Sequence, residues 1–231
     1  KHHATHRQCL VKEMPVVKLD IISDPICPWC YIGKTHLFKA LAEVPDHPFT
    51  IEWHPFQLNP EMPAQGMERR TYLETKFGGK EAAVKAYAPV VEHAEMAGLT
   101  LNLEAISHTP NTLDAHRLIH WAGVEEKQNA VVDALFEAYF QNGRNIGDSE
   151  VLADIADCCG MDAAVVLKLL NSEADKEETR ARDASARDMG VNSVPTFIVA
   201  GQHAVPGAQP AALWTQVIAE LQENISFEAT T

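Results

Sequence analysis

The sequence feature that most constrains the fold is a pair of cysteines, Cys27 and Cys30, placed between a predicted strand and a predicted helix. The residues before the pair, VVKLDIIS at 16–23, are rich in β-branched side chains and end at Asp24-Pro25, as is typical of a buried strand. The residues after it, YIGKTHLFKALAEV, repeat apolar side chains at helical spacing and stop before Pro45. The Cys-Pro-Trp-Cys motif therefore opens a helix directly after a strand.

This placement predicts thiol chemistry. A sulfur at the first residue of a helix faces unpaired N–H groups and the positive end of the helix dipole, which favours the thiolate form of Cys27. Cys30 lies one turn later on the same side, where it can attack a mixed disulfide formed at Cys27. Pro28 suits the first turn because its missing N–H costs nothing there, and Trp29 offers a flat apolar surface to a substrate. We therefore predict Cys27 and Cys30 as catalytic residues, with Pro28 and Trp29 contacting substrate.

The rest of the chain predicts an α/β fold in three parts. A second strand at 50–56 completes a βαβ unit within residues 15–60, and apolar residues at helical spacing fill 61–185. Residues 186–227 then give a hairpin and an amphipathic helix. The predicted fold is therefore βαβ…ββα, interrupted by a large all-helical insertion domain. Residues 1–14 are predicted to be an N-terminal extension or tag. In the last helix of the insertion, Glu178 and Arg182 are four apart and predict a solvated, ion-paired face.

A second candidate site feature is the Val194-Pro195 bond, which enters the first strand of the predicted hairpin. An X-Pro bond in such a position is a candidate for the cis form. The backbone of Val194 would then be free to pair with an extended substrate beside Cys27. The alternative is an ordinary proline at the start of a strand.

Composition excludes several classes of partner. The chain has 32 acidic and 19 basic residues, a net charge of −13, which repels phosphate backbones and anionic lipid. We expect no nucleic-acid partner and no membrane partner. The absence of a long apolar run or a secretory signal predicts a cytoplasmic protein, and five cysteines argue against a stapling disulfide framework.

Zinc binding is the main alternative use of the motif, because zinc sites share the Cys-x-x-Cys spacing. Two more ligands would be needed, and the candidates are Cys158, Cys159, His36 and His54. Adjacent cysteines are unlike the usual second pair of a zinc site, so no metal is predicted here. His116 and His120 are also four apart, as metal ligands on a helix are, but without an acidic partner of the HExxH type they are predicted to pack or cap.

Taken together, these features resemble the DsbA branch of the thioredoxin superfamily, and more narrowly the FrnE-like proteins. The similar stretches are SDPICPWCYIGK, PFQLNP, NTLDAHRLIHWA and GVNSVPTFIVAGQHAVPGAQP. The resemblance implies a thioredoxin fold with a helical insertion and dithiol–disulfide oxidoreductase or isomerase activity. It implies that Cys27 attacks, that Cys30 resolves and that Pro195 is the cis proline. It implies no cofactor beyond the redox-active Cys27-Cys30 disulfide, with glutathione as a candidate reductant.

The expected partners are disulfide- or thiol-containing proteins or small molecules, acted on by a monomer or a homodimer. Two positions depart from the family pattern. Ile21 stands where thioredoxins commonly bury an aspartate, and neither Asp20 nor Asp24 occupies that position. Trp29 stands where periplasmic DsbA has a histidine. The related 2-hydroxychromene-2-carboxylate isomerases and kappa-class glutathione transferases usually present a serine at the attacking position. A glutathione-dependent isomerase or transferase is therefore the alternative function, disfavoured by the presence of both cysteines.

Overall fold

The computed structural model describes residues 16–228, so the predicted extension 1–14 lies outside the described residues. A four-stranded sheet carries the order β2-β1-β5-β6. Its strands are β1 (Val17–Ser23), β2 (Phe49–Pro55), β5 (Thr196–Val199) and β6 (His203–Pro206). Strand β1 is central, parallel to β2 and antiparallel to β5, with Ile21 opposite both Trp53 and Phe197. Helices α1 (Pro28–Glu43) and α9 (Ala211–Glu228) pack against each other.

The predicted β1 forms because its apolar side chains can be buried in the centre of the sheet. Leu19, Ile21 and Ile22 are each at most 1% exposed. The sheet with its two helices is the predicted βαβ…ββα arrangement, and it confirms the thioredoxin fold. The end of β1 and the start of α1 meet at the cysteine motif.

The insertion is helical, as predicted. Its helices are α2 (Arg69–Phe77), α3 (Lys80–Met96), α4 (Leu113–Val124), α5 (Gln128–Phe140), α6 (Ser149–Cys158), α7 (Ala163–Leu170) and α8 (Lys176–Asp188). It also contains an antiparallel pair of two-residue strands, β3 (Met67–Glu68) and β4 (His108–Thr109), which are too short to leave a sequence pattern. Gly66 precedes this pair with a φ of +73°, and a Cβ there would lie only 2.6 Å from the Thr109 carbonyl oxygen.

The insertion and the thioredoxin part share one hydrophobic core. Tyr31 of α1 stacks on Phe136 of α5 with ring centroids 4.9 Å apart. Its hydroxyl also accepts a hydrogen bond of 2.6 Å from the Gln141 side chain. Helices α4, α5 and α8 contact the edge strand β2. Helical residues therefore lie next to the elements that carry the cysteines.

Arg182 departs from the solvated face predicted for this helix, whereas Glu178 is exposed as predicted. Arg182 points from α8 toward the sheet, with Nη2 3.2 Å from a Glu52 carboxylate oxygen and 3.1 Å from His54 Nδ1. Its Nη1 lies 2.8 Å from His120 Nδ1. The reason is that α8 packs on β2, so the face that carries Arg182 meets polar side chains of the strand. Among residues 16–228, no helix combines the length and the apolar character needed to cross a membrane.

Candidate active site

Cys27 is the residue from which α1 starts. Its backbone is extended, with φ −88° and ψ 115°, and no side chain caps this helix end. Its N–H donates to the carbonyl of Asp24 at 2.9 Å, and its own carbonyl accepts from the N–H of Cys30 at 3.1 Å. Pro28 occupies the first helical position and needs no partner for an N–H. The Cys27 sulfur therefore lies at the positive end of the α1 dipole.

The loop between α8 and β5 lies against this cysteine. The Cys27 thiol donates to the Val194 carbonyl oxygen, with an S to O distance of 3.6 Å. The Val194–Pro195 peptide bond is cis. The Pro195 carbonyl accepts from the N–H of Gly207 at 2.8 Å, which joins the loop to the end of β6. The structure thus brings Cys27 next to Val194 and Pro195, which lie far from it in the sequence.

Close packing between α1 and this loop depends on a glycine. A Cβ atom at Gly33 would lie 3.0 Å from Pro195 Cγ and 3.2 Å from the Cα of Ala208. Both distances are shorter than ordinary carbon contacts, which lie at about 3.5 to 4.0 Å. The absence of a side chain at Gly33 therefore allows the loop to approach the helix that carries the cysteines.

Cys30 lies behind Cys27, with 1% of its surface exposed. Burial raises the pKa of the Cys30 thiol well above its usual value, and a hydrogen bond with Cys27 adds to the increase. Hydrogen bonds from the Ser23 side chain and the Asp24 backbone act in the opposite direction. Both cysteines are free thiols. At neutral pH Cys30 therefore keeps its proton, and it must lose that proton before it can act as a nucleophile.

Trp29 lies at the border between the two parts of the chain. Its ring contacts the His93 ring edge-on, with centroids 5.2 Å apart and an angle of 70°. Ile32, one turn later, packs on Val90 and Ala94. Helix α3 therefore packs beside the Cys27–Cys30 motif. His93 was not identified from the sequence, because periodicity shows which side chains share a helix face but not which element that face meets.

A buried polar pair lies on the other side of Ser23 and Cys30. Asp24 is fully buried, and one carboxylate oxygen accepts from the N–H of Leu58 at 2.7 Å. The other lies 3.4 Å from the N–H of Ile26 and 3.7 Å from His116 Nε2. His116 is 3% exposed, and its Nε2 has no hydrogen-bond partner among residues 16–228. The packing predicted for His116 is confirmed, but the sequence did not indicate its neighbour.

Two of the stretches that carry the family resemblance meet at this pair. The Gln57 side chain of PFQLNP donates to Asn111 Oδ1 of NTLDAHRLIHWA at 3.1 Å. The Gln57 backbone N–H donates to a carboxylate oxygen of Asp183 at 2.7 Å. These bonds hold the loop after β2, the start of α4 and the middle of α8 together. They fix the position of α4, and hence of His116, relative to the cysteines.

Side chains that could bind a metal ion form two groups. Within residues 16–228, two sets of side chains could each offer three ligand atoms to one ion, and neither includes a cysteine: Asp20, Glu52 and His54, and His120, Asp175 and Glu178. In the first set, His54 Nε2 lies 2.6 Å from Asp20, and Lys18 lies within 2.9 Å of both carboxylates. The imidazole of His54, which was considered as a zinc donor, is therefore engaged away from Cys27.

Comparison with known proteins gives consistent relatives. The DSBA-like thioredoxin domain matches residues 18–219. The "uncharacterized protein YwbO" of Bacillus subtilis (strain 168) is 26% identical over 209 residues, covering 90% of this chain and 98% of that protein. The crystal structure of the probable DsbA oxidoreductase SCO1869 from Streptomyces coelicolor superposes with a TM-score of 0.78 at 31% identity, covering 88% of this chain and 89% of that one.

A more distant neighbour is the cytosolic disulfide reductase DsbM from Pseudomonas aeruginosa, solved with GSH. It has a TM-score of 0.62 and 16% identity, and the match covers 89% of this chain and 99% of that one. At this identity the likeness shows the fold alone. The family match over most of the chain and the 31% identity to SCO1869 decide the assignment: the chain belongs to the DSBA-like thioredoxin domain family.

Proposed function

We propose that the protein is a thiol–disulfide oxidoreductase in which Cys27 and Cys30 exchange disulfides with a substrate. The observation that carries the proposal is the arrangement of the two thiols. Cys27 lies at the start of α1 and against the Val194 carbonyl, while Cys30 lies buried within hydrogen-bond reach behind it. Membership of a family whose relatives include a probable oxidoreductase supports the same chemistry.

The first step is attack by the Cys27 thiolate on a substrate disulfide. A new S–S bond forms between Cys27 and one substrate sulfur, and the other substrate sulfur leaves with the electron pair and takes up a proton. In the second step Cys30 loses its proton and attacks Cys27. The Cys27–Cys30 bond forms, the bond from Cys27 to substrate breaks, and the second substrate sulfur leaves as a thiolate. The enzyme dithiol is oxidised by two electrons and the substrate disulfide is reduced; the reverse sequence oxidises a substrate dithiol.

The residues around the Cys27 sulfur are the ones proposed to contact the substrate. We infer that an extended segment pairs with the backbone of Val194 beside Pro195, as an added strand would. The Val194 carbonyl accepts a hydrogen bond from the Cys27 thiol in the reduced enzyme. It becomes available to a hydrogen-bond donor of the substrate once that thiol has lost its proton. Pro28 and Trp29 would contact the same substrate. Glutathione is the proposed small-molecule reductant, which the DsbM structure with GSH supports.

The test is a variant that stops after the first step. Cys30→Ser leaves the attacking thiol but removes the resolving one, so disulfide adducts should accumulate on Cys27 in cells. Exposed Cys158 could also form adducts. All proteins should therefore carry serine at Cys9, Cys158 and Cys159. Non-reducing gels and mass spectrometry of the Cys27 peptide then measure the adducts.

The control is the Cys27→Ser/Cys30→Ser double variant in the same background, which should carry no adduct. A glutathione-dependent isomerase or transferase, the alternative function, needs no resolving thiol. If Cys30→Ser stays free of adducts and keeps full activity in a glutathione-conjugation or isomerisation assay while the parent fails to reduce insulin, the oxidoreductase proposal is wrong.

A further inference from the structure

Resolution by Cys30 requires a group that takes its proton. The thiol is buried and its pKa is raised, so ionisation into a site closed to solvent is costly. The position six residues before Cys27 holds Ile21, which cannot accept a proton. The polar side chain in contact with Cys30, besides Cys27, is that of Ser23. A hydroxyl both donates and accepts, so Ser23 can pass a proton on but cannot store it.

The titratable side chains that share a cavity with Ser23 are His116 and His54, and both ring nitrogens of His54 are already engaged, with Asp20 and Arg182. A cavity with room for about one water molecule is lined by Ser23, His116 and His54. Ser23 therefore contacts Cys30 and also lines the space that it shares with His116. The remaining wall of this cavity is largely apolar and includes Val132 and Phe136. A proton that leaves Cys30 through Ser23 thus meets an imidazole next.

The His116 imidazole faces the buried carboxyl group of Asp24. Its Nε2 lies 3.7 Å from a carboxylate oxygen of Asp24 and has no hydrogen-bond partner among the described residues. Asp24 accepts hydrogen bonds from the backbone N–H groups of Leu58 and Ile26, which hold its carboxyl group in place beside His116. A buried imidazole nitrogen without a partner among residues 16–228 is uncommon in folded proteins, and a water molecule in the adjoining cavity is the partner for which there is room.

A second cavity and a surface pocket give a route from His116 to solvent, because they share two lining residues. A second cavity of similar size is lined by His116, His120 and Arg182. His120 and Arg182 also line an open surface pocket between β2, α4 and α8. His116 therefore lines two water-sized cavities, one shared with Ser23, which contacts Cys30, and one shared with His120 and Arg182.

We propose that His116 accepts the proton that Cys30 releases during resolution, passed through Ser23 and one water molecule, and returns it to solvent past His120. The proposal rests on the proposed oxidoreductase function. When Cys30 attacks, its S–H proton moves to His116 and Asp24 stabilises the imidazolium, while the electron pair leaves on the substrate sulfur. The other charged or titratable groups around His116 are His54 on β2, His120 on α4 and Arg182 on α8. The reverse transfer protonates Cys30 when the disulfide is reduced.

The experiment follows the two thiols separately. Ellman's reagent first reacts with Cys27 and releases one nitrothiobenzoate; attack by Cys30 then releases the second. Stopped-flow absorbance records both phases from about pH 5 to about pH 9, the range in which an imidazole titrates. All proteins carry serine at Cys9, Cys158 and Cys159. The variants are His116→Gln and Ser23→Ala, and the control is His36→Gln, a partly buried histidine of α1 that lines neither cavity.

We expect His116→Gln and Ser23→Ala to slow the second phase about 10-fold to 100-fold at neutral pH and to move its pH profile upward, as expected for loss of a positioned proton acceptor. The first phase and the His36→Gln control should match the parent. A structural defect alone would not move the pH profile of one phase. If His116→Gln does not fold, His116→Asn takes its place, because Ser23→Ala alone also removes a hydrogen bond that lowers the pKa of Cys30. Folded variants with the parent's second phase at every pH would overturn the proton route. A parent protein without a second phase would overturn the oxidoreductase proposal itself.

Discussion

The Sγ atom of Cys27 lies 3.6 Å from the carbonyl oxygen of Val194, a residue 167 positions later in the chain. The contact joins the first and last parts of the thioredoxin fold across the whole helical insertion. It arises because β1 pairs with β5, so that the loop entering β5 reaches the residue that follows β1. The site therefore depends on the folding of both ends of the chain and on close packing of α1 against the loop.

The first prediction concerns which thiol reacts. In a Cys158→Ser/Cys159→Ser background, iodoacetamide at about pH 6 should label Cys27 before Cys30, because burial raises the pKa of Cys30 and only a thiolate reacts. Timed alkylation followed by mass spectrometry of the two cysteines measures the order. Earlier labelling of Cys30 would reverse their assigned roles.

The second prediction tests the contact between α1 and the Pro195 loop. Gly33→Val should lower the free energy of unfolding by about 1 to 3 kcal/mol, because the new side chain overlaps Pro195 and Ala208. Urea unfolding measures the loss. Lys39→Val places the same residue on the exposed face of α1 and controls for the helix propensity of valine. Equal losses in both variants would mean that the loop moves away at no cost.

The third prediction concerns the edge strand β2. The Gln128 side chain acts as a neighbouring strand would: its Oε1 accepts from the N–H of Trp53 at 2.8 Å and its Nε2 donates to the Trp53 carbonyl at 3.2 Å. Gln128→Leu should cost about 1 to 3 kcal/mol, because a backbone N–H loses its partner. Gln216→Leu makes the same substitution at an exposed position of α9 and should cost less in the same unfolding measurement. A Gln128→Leu variant as stable as Gln216→Leu would contradict this role.

The sequence predicts the parts of the fold that depend on local pattern. Strand β1, the helix start at Cys27 and the amphipathic α9 follow from side-chain periodicity and from the proline positions. The meeting of Cys27 with Val194 was expected from the candidate cis bond before Pro195 and from the family resemblance, since periodicity alone gives no long-range pairing.

The parts that the sequence did not predict depend on which faces pack together. Arg182 looked like a surface residue because its spacing from Glu178 is that of an ion pair, but α8 lies on β2 and turns it inward. His116 was expected to pack, and nothing in the helix spacing shows that it faces Asp24 from another part of the chain. A polar residue on a helix can lie at the surface or take part in a buried hydrogen-bond network. Which of the two it does depends on the element that packs against its face of the helix.

The last prediction concerns pH and Cys30. In the unfolded chain its thiol ionises near the usual thiol pKa of about 8.5, whereas burial keeps the thiol protonated to higher pH in the folded protein. Between these two values the unfolded state binds fewer protons than the folded state. The contribution of Cys30 to the free energy of unfolding is therefore complete below about pH 8.5 and is lost as the pH rises, at up to about 1.4 kcal/mol per pH unit.

Urea unfolding of the reduced protein at about pH 7 and about pH 9.5 measures this loss. Many groups titrate in that range, so the informative quantity is the difference between the parent and Cys30→Ser. We expect the parent to lose about 1 kcal/mol more than Cys30→Ser, because serine has no thiol to ionise. Cys158→Ser removes an exposed thiol and should behave like the parent. Equal losses in the parent and Cys30→Ser would show that Cys30 ionises as readily in the folded protein as in the unfolded chain. Resolution by Cys30 would then not require a proton acceptor such as His116.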